Sequence, residues 1–591
     1  MTTSDTVIAA YGRQTVRAFH ISHVAATLCC FVVLLAPALW NRYPLLQYDT
    51  GGYLARWYEG YLVPSRSTVF GLFLHLGEGL HFWPELVLQT GCAVWIVSLV
   101  LRAAGFAVGP WHRTLMVAGL ALVTALPVLS STLLTDIFAG LSVLSLHLLI
   151  FHRSVLAPIE RIGLFLLIAF AAATHSATLA VLIAVLVLAV PILLVLSLRP
   201  AGALLAGGGA IATGAAMLLA GNLALSGQLA WTPGGFGIAF GRMLQDGIVK
   251  RYLDDHCPTT RLKLCPYRNE LPTTADDFLW SNGVFNELGR FSGLGEEMRF
   301  IVLHSLQEYP LQQIEAALAA SSRQLRLVAT GHGTHDQIWH TYGIIERYIP
   351  GEVPAMHSAR QQRGELDFDL INRVHVPIAL GSMILALVLL ARATISGRFD
   401  ETGRLAATVT VAILANAFVC GALSGPHDRY GARIAWIATF TAAIAILRAI
   451  NNLLPNARQR RLAQARAFAP ARRDRTTCGC ASPANSAGHA LHESSIKSHA
   501  PKLRGGFGGT DVGAASMMPC RRERKRAAAA NEEYATVNCR AVSTSVEHSQ
   551  NYSLNVQFCH RYQVETGRAR ALMFRPMQLM AVRLASAGRL R

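Results

Sequence analysis

The chain has 591 residues, 52% hydrophobic and 15% charged, with a formal net charge of +18. Its apolar residues fall in blocks of about 17–25, the length that crosses a bilayer core, which excludes a wholly soluble chain. Residues 456–591 hold 23 Lys and Arg against 8 Asp and Glu, so the charge belongs to the tail; a basic tail on an apolar body reads as attraction to anionic lipid headgroups, not as a specific nucleic-acid interface.

The hydropathy pattern predicts an all-α membrane fold of about ten spans, near 21–40, 84–103, 114–133, 136–152, 161–177, 179–198, 201–221, 374–392, 404–423 and 431–450. Arg13 and Arg17 precede the first span. Arg102, Arg153, Arg199, Arg392 and Arg448 follow the even-numbered ones, and Arg113, Arg161, Arg398 and Arg404 flank the same loops. Basic flanks mark the cytoplasmic side, so both termini are expected inside a bacterial-type cytoplasmic membrane. Arg42, Arg56 and Arg66 in the first outer loop oppose the rule locally. Ala36-Pro37-Ala38 resembles a signal-peptidase site, but the apolar run before it is long for a signal peptide.

This organisation gives an N-terminal bundle over 1–221 that includes an outer loop at 41–83. An outer domain of mixed or helical structure follows at 222–373, then a C-terminal bundle at 374–450 and a basic tail at 451–591. The first outer loop is expected to hold one or two helices along the membrane interface. The seventh span, AGALLAGGGAIATGAAMLLAG, is rich in small residues and reads as a close-packing helix. Gly234–Gly241 is read as a turn. Leu311, Ile314, Leu318, Leu325 and Val328 follow helical spacing, which fits an amphipathic helix on the membrane, on the domain, or facing a core. The tail loses periodicity and reads as disordered, with a helix near 570–590.

Of the eleven cysteines, Cys29, Cys30, Cys92 and Cys420 fall in spans and read as small hydrophobes. Cys478, Cys480, Cys520, Cys539 and Cys559 lie in the tail without zinc spacing. Cys257 and Cys265 sit in the outer segment, where a disulfide persists.

Four places carry ionisable groups at one membrane face, where they are costly. Asp49, in Tyr48-Asp49-Thr50-Gly51-Gly52-Tyr53, is either a helix cap or a carboxylate whose pKa partial desolvation raises toward that of a base. Asp136, after Thr135, opens the fourth span, where the helix dipole also favours an acid. His175, in Thr174-His175-Ser176, is either an interhelical hydrogen-bonder or a ligand. In Ser424-Gly425-Pro426-His427-Asp428-Arg429-Tyr430, His427 and Arg429 crowd one turn, and a guanidinium there either clamps a phosphate or braces the turn through Asp428. His332, His335 and His340 lack zinc spacing, so no metal site is expected and no cofactor is identified.

In order along the chain, QYDTGGYLARWYEG, Pro64-Ser65-Arg66, LLTDIFAGLSVLSLHLL and AAATHSATLAVL together resemble the GT-C superfamily of membrane glycosyltransferases, the group that includes protein mannosyltransferases and aminoarabinose transferases. Asp49 stands alone where that family often has an acidic pair, and His175 stands where many members have Lys. The resemblance implies a sugar donor on a polyprenyl phosphate and an envelope acceptor. It makes Asp49 the general base, with Arg66, Asp136, His175, His427 and Arg429 around the lipid phosphate. A secondary transporter or lipid flippase, and a non-catalytic envelope assembly protein, are the competing readings.

Overall fold

The computed structural model describes residues 3–59, 66–106, 109–195, 201–227, 229–231 and 234–467. The chain divides into two units, Met1–Arg475 and Thr476–Arg591. Pro64, Ser65, the tail cysteines and the expected helix near 570–590 lie outside the described residues. Within them the protein is all-helical; the one extended pairing is an isolated parallel bridge between Leu45 and Thr132.

The helices run α1 (Thr3–Asn41), α2 (Tyr48–Glu59), α3 (Thr68–His75), α4 (Trp83–Ala103), α5 (Pro110–Val123), α6 (Leu126–Ser131), α7 (Asp136–Phe151), α8 (Pro158–Thr174), α9 (Ser176–Val195) and α10 (Ala201–Ser226). After these come α11 (Gly235–Gln245), α12 (Ile248–His256), α13 (Ala275–Trp280), α14 (Val284–Glu287), α15 (Arg290–Glu308), α16 (Pro310–Gln324), α17 (Trp339–Tyr348), α18 (Val353–Ser358), α19 (Asp369–Ser396), α20 (Glu401–Ala417) and α21 (Asp428–Ala467).

Seven helices among the described residues are long and apolar enough to cross a membrane: Ile21–Asn41, Trp83–Ala103, Ser176–Leu194, Gly202–Ser226, Asp369–Ser396, Glu401–Ala422 and Asp428–Asn452. The protein is therefore a multi-pass helical membrane protein in its architecture. Three expected spans take another form. The 114–133 block breaks after Val123, where Thr124 is extended and Pro127 stands in the first turn of α6. The α7 and α8 helices have 16 and 17 residues. At 1.5 Å per residue they reach about 25 Å, short of the roughly 30 Å hydrocarbon core.

Local chemistry sets the helix ends. The side chain of Asp400 accepts from Gly403 N at 2.8 Å to start α20. Glu160 reaches back to Ala157 N at 2.8 Å, with Pro158 in the first turn of α8. Ser67 caps α3 through Val69 N. A helix apolar on every face belongs in the middle of a bundle, and α7 is buried from Asp136 to Ile150. Gly140 lets α21 approach it: a Cβ there would lie 2.5 Å from Trp436 Nε1. The small-residue helix α10 packs as its composition suggests, since a Cβ on Gly214 would lie 2.4 Å from Ala169 O of α8.

The ends carrying the basic flanks meet. Arg102 pairs with Glu160 at 2.5 Å, Arg448 donates to Ala104 O at 2.7 Å, and His152 contacts Glu401 at 2.9 Å. Residues 45–49, 66–68, 132–136, 174–175 and 416–430 gather at a different end, where the helices of the long loop also pack.

That loop is helical. Phe240, Tyr252, Phe278, Phe285, Met298 and Ile301 build a second core, while Ile338, Tyr342, Ile345 and Met356 join the main one. Gly234–Gly241 is not a turn but the start of α11. Its glycines act as close-packing positions: a Cβ on Gly237 would meet Phe291 at 2.7 Å, and one on Gly241 would meet Leu279 at 2.9 Å. Cys257 and Cys265 form a disulfide with Cα atoms 5.5 Å apart. The first loop holds the two short helices α2 and α3, with α2 buried in protein from Thr50 to Arg56.

Candidate functional site

The segment before α2 is held on three sides. Leu45 N–H donates to Ser131 O at 2.8 Å, and Leu45 O accepts from Leu133 N at 3.0 Å. Gln361 clamps Leu46, accepting from its N–H at 3.0 Å and donating to its carbonyl at 2.8 Å. The Thr50 hydroxyl accepts from Gln47 N and donates to Leu133 O, each at 3.0 Å. Gly51 then admits α17 at backbone range, since a Cβ would lie 2.6 Å from Thr341 Cα. Its N–H donates to Thr341 Oγ1 at 2.9 Å. These contacts fix Asp49 in the first turn of α2, not at a capping position.

Arginines meet the carboxylate from two elements. Arg66 pairs with Asp49 Oδ1, and Gly52 makes room for the Arg66 side chain, whose Cγ would be 3.2 Å from an added Cβ. Arg429 Nη1 donates to Asp49 Oδ2 at 2.7 Å and to Gln47 Oε1 at 3.0 Å. Its Nε faces Asp136 Oδ2 at 3.0 Å, an ion pair outside hydrogen-bond alignment. One helical turn on, Arg433 is fully buried in the apolar part of α21. Its Nη1 lies 3.5 Å from Asp136 Oδ1 and 3.2 Å from His175 Nδ1. Its Nη2 donates to Asn416 Oδ1 at 2.7 Å and to Cys420 Sγ at 3.1 Å.

The result is a chain of charges, Arg66–Asp49–Arg429–Asp136–Arg433, drawn from α2, α7, α21 and the loop before α3. Three guanidiniums against two carboxylates give a formal charge of +1, a surplus suited to an anion. Arg433 is a donor only, so His175 Nδ1 accepts from it and the imidazole proton sits on Nε2. His175 is thus an interhelical hydrogen-bonder between the start of α9 and α21.

The expectation that desolvation raises the Asp49 pKa is overturned. Burial does oppose its ionisation, but the guanidiniums of Arg66 and Arg429 outweigh it and hold the carboxyl well below the usual range. Asp49 is an ionised and restrained carboxylate. His427 lies beside the charge chain: its backbone is held at both ends by Gln324, with N–H to Oε1 and C=O from Nε2 each at 2.9 Å. Its ring is tilted against that of His332 and edge-on to that of Tyr430, with centroids 5.3 and 5.6 Å away. Burial lowers its pKa despite the nearby carboxylate of Asp276. Asp428 braces the turn through Ala329 N at 2.9 Å, leaving Arg429 to Asp49 and Asp136.

A cavity opens on this network, lined by Gln47, Thr132, Asp136, Thr330, His332 and Arg429 on its polar side. Ala125, Val128, Leu129, Leu134 and Ala432 form its apolar wall. Among the described residues no group of three or more His, Cys, Asp or Glu is placed to hold a metal ion. His332 packs on His427, while His340 stacks on Tyr48 with ring centroids 6.1 Å apart.

Asp49, Arg66, Asp136, His175 and Arg429 are brought together, with His427 at their edge. Arg433, Gln47 and Asn416 were missed. Arg433 carried a readable signal, a charge inside an apolar run at four residues from Arg429, hence on the same helix face. Cys420, read as a small hydrophobe, instead accepts from that arginine.

The site is that of a multi-pass helical membrane protein with a buried arginine–aspartate chain at one end of its bundle. No protein-family model, curated protein or solved structure matches this chain.

Proposed function

We propose that the protein is a membrane glycosyltransferase of GT-C type. It moves a sugar from a polyprenyl-phosphate donor to an envelope acceptor at the outer face of the cytoplasmic membrane. In this reading the chain makes ten passes, counting the short α7 and α8 and the broken α5–α6, and both termini are cytoplasmic. The observation that carries the proposal is Asp49 held between Arg66 and Arg429, in a charge chain with one positive charge to spare whose Arg429 and Asp136 line a cavity with one polar and one apolar side.

In this reading a lipid phosphate that approaches the charge chain competes with Asp49 for the two shallow guanidiniums, which suit phosphate as well as carboxylate. As they turn to the phosphate, Asp49 loses the charges that depress its pKa and becomes a competent base. It takes the proton of the acceptor hydroxyl. The acceptor oxygen attacks the anomeric carbon from the face opposite the phosphate, and the C–O bond to the leaving group breaks. That electron pair ends on the phosphate oxygen, beside Arg66 and Arg429, where fixed positive charge counts most. The configuration inverts.

A flippase is the second reading, favoured by the Asp136–Arg433 pair buried between the apolar helices α7 and α21. Purified protein in lipid nanodiscs, given a radiolabelled polyprenyl-phosphate sugar and envelope extract, separates the two. Labelled acceptor that depends on Asp49 supports transfer; donor binding without any labelled acceptor, together with movement of the donor between leaflets in vesicles, supports the flippase and ends the transferase.

A further inference from the structure

The α16 helix turns its apolar residues outward. Leu311 is 82% exposed, Ile314 58% and Leu318 66%. Its opposite face, with Ala320 and Gln324 buried, rests on the π-helical turn Phe418–Ala422 that ends the α20 span. The contact is at backbone range: a Cβ on Gly421 would lie 2.8 Å from Ala320 O and 3.0 Å from Gln324 Cβ. The helix ends at Gln324, so Leu325 and the buried Val328 are not part of the outward stripe. A core-facing role for Leu311, Ile314 and Leu318 is therefore excluded.

An apolar stripe of this kind needs cover, and its neighbours say what covers it. The turn beneath α16 belongs to a membrane-crossing helix and presents Phe418 and Leu423, 50% and 55% exposed, as lipid-facing side chains do. Leu311, Ile314 and Leu318 lie on the helix packed against that turn, just past the end of the span, with the exposed Glu315 at the edge of the stripe. Exposed Arg323 and Arg326 follow at the C-terminal end of α16, where cations suit both the helix dipole and lipid phosphates. Apolar residues along one stripe with basic residues at its edge are the pattern of a helix lying in the membrane interface.

We propose that α16 is seated in the bilayer interface, with Leu311, Ile314 and Leu318 among the acyl chains and Arg323 and Arg326 at the headgroups. The seat has a consequence for the charge chain. Gln324, at the end of α16, holds both backbone groups of His427, two residues before Arg429. The bilayer thereby anchors the turn that delivers Arg429, so the arginine stands at a fixed depth from the lipid surface. This inference rests only on the membrane architecture and stands whether or not the protein transfers sugars.

The test uses the full-length protein in vesicles of phosphatidylcholine and phosphatidylglycerol. Ile314→Cys and Leu318→Cys are labelled with a small fluorophore, with Lys250→Cys as the aqueous reference and the unsubstituted protein as background for native thiols. The expected result is quenching of positions 314 and 318 by lipid-borne nitroxide and loss of most iodide quenching relative to position 250. Iodide quenching at 314 and 318 equal to that at 250 overturns the proposal. Protection from both quenchers, with or without cross-linking of two copies through these cysteines, overturns it as well, because protein then covers the stripe.

Discussion

Arg429 is the residue on which the charge chain turns, so its substitution is the most informative perturbation. Its Nη1 reaches Asp49 at 2.7 Å and its Nε faces Asp136 at 3.0 Å, two carboxylates on two helices served by separate edges of one planar group. Arg429→Lys keeps the charge but concentrates it at a single nitrogen, so one of the two contacts is lost. In the proposed complex the phosphate likewise loses one of the two hydrogen bonds that this side chain can give it, and a hydrogen bond to a charged partner contributes about 1.5–3 kcal/mol. At about 1.4 kcal/mol per decade, donor affinity should fall roughly ten- to a hundredfold. Arg429→Ala leaves Asp49 to Arg66 and Asp136 to Arg433 and removes both phosphate donors, so it should bind still more weakly; because removing one partner from a buried pair costs about 3–5 kcal/mol, its thermal midpoint should fall as well. The assay is equilibrium binding of a polyprenyl-phosphate sugar in nanodiscs, followed by transfer, at matched amounts of monodisperse protein. An exposed turn-bracing pair is worth about 0–1 kcal/mol. If both variants bind and turn over within a few-fold of the parent, Arg429 holds no phosphate and the glycosyltransferase proposal loses its main support.

Asp49→Asn should abolish transfer with expression and membrane insertion near normal; activity within a few-fold of the parent would exclude Asp49 as the base. Because the folded pKa of Asp49 is depressed, its stabilising effect is fully present above the ordinary carboxylate value of about 3.9 and disappears only as pH falls through the lower folded value. The stability gap between the parent and Asp49→Asn, followed by thermal unfolding, should stay flat from about pH 8 to 5 and close only in stronger acid; a gap that closes near neutrality would refute the depressed pKa. Arg433→Met should lower the thermal midpoint strongly, by the loss of about 3–5 kcal/mol expected when Asp136 and Asn416 lose a buried partner. Adding Asp136→Asn should restore part of it, and strict additivity would show that the pair is not coupled. Alkylation before reduction should leave Cys257 and Cys265 unlabelled, and Cys257→Ser should cost about 2–3 kcal/mol; two free thiols would contradict the disulfide.

The spans were legible because bilayer thickness imposes one length on every apolar block, whatever its neighbours. The three that depart, expected at 114–133, 136–152 and 161–177, do so for local reasons: a proline after a break, and helices a turn short. Asp49, Asp136, His175 and Arg429 stood out because a charge beside apolar segments is costly and so invites a reason. Their convergence was implied only by the family resemblance and not by the residues themselves, because it depends on α2 and the segment before it being pinned to Thr132, Leu133 and Thr341 by contacts far apart in the sequence. Glycine misled at 234–241, since the residue that frees a turn is also the one that lets a helix approach Phe291 and Leu279. The stripe at Leu311, Ile314 and Leu318 was correctly amphipathic, but periodicity alone does not say which side its solvent is on.

Depth divides the arginines into two kinds. Arg433, fully buried, is surrounded by Asp136, His175, Asn416 and Cys420, so its charge is compensated where water cannot reach it, and moving it would strand each partner. Arg66 and Arg429, with side chains 19% and 14% exposed, face a carboxylate that a phosphate would replace in the proposed transfer. The deep arginine therefore fixes Asp136, and Asp136 fixes the orientation of Arg429. In the proposed transfer the shallow pair exchanges one anion for another while the fold beneath it stays in place.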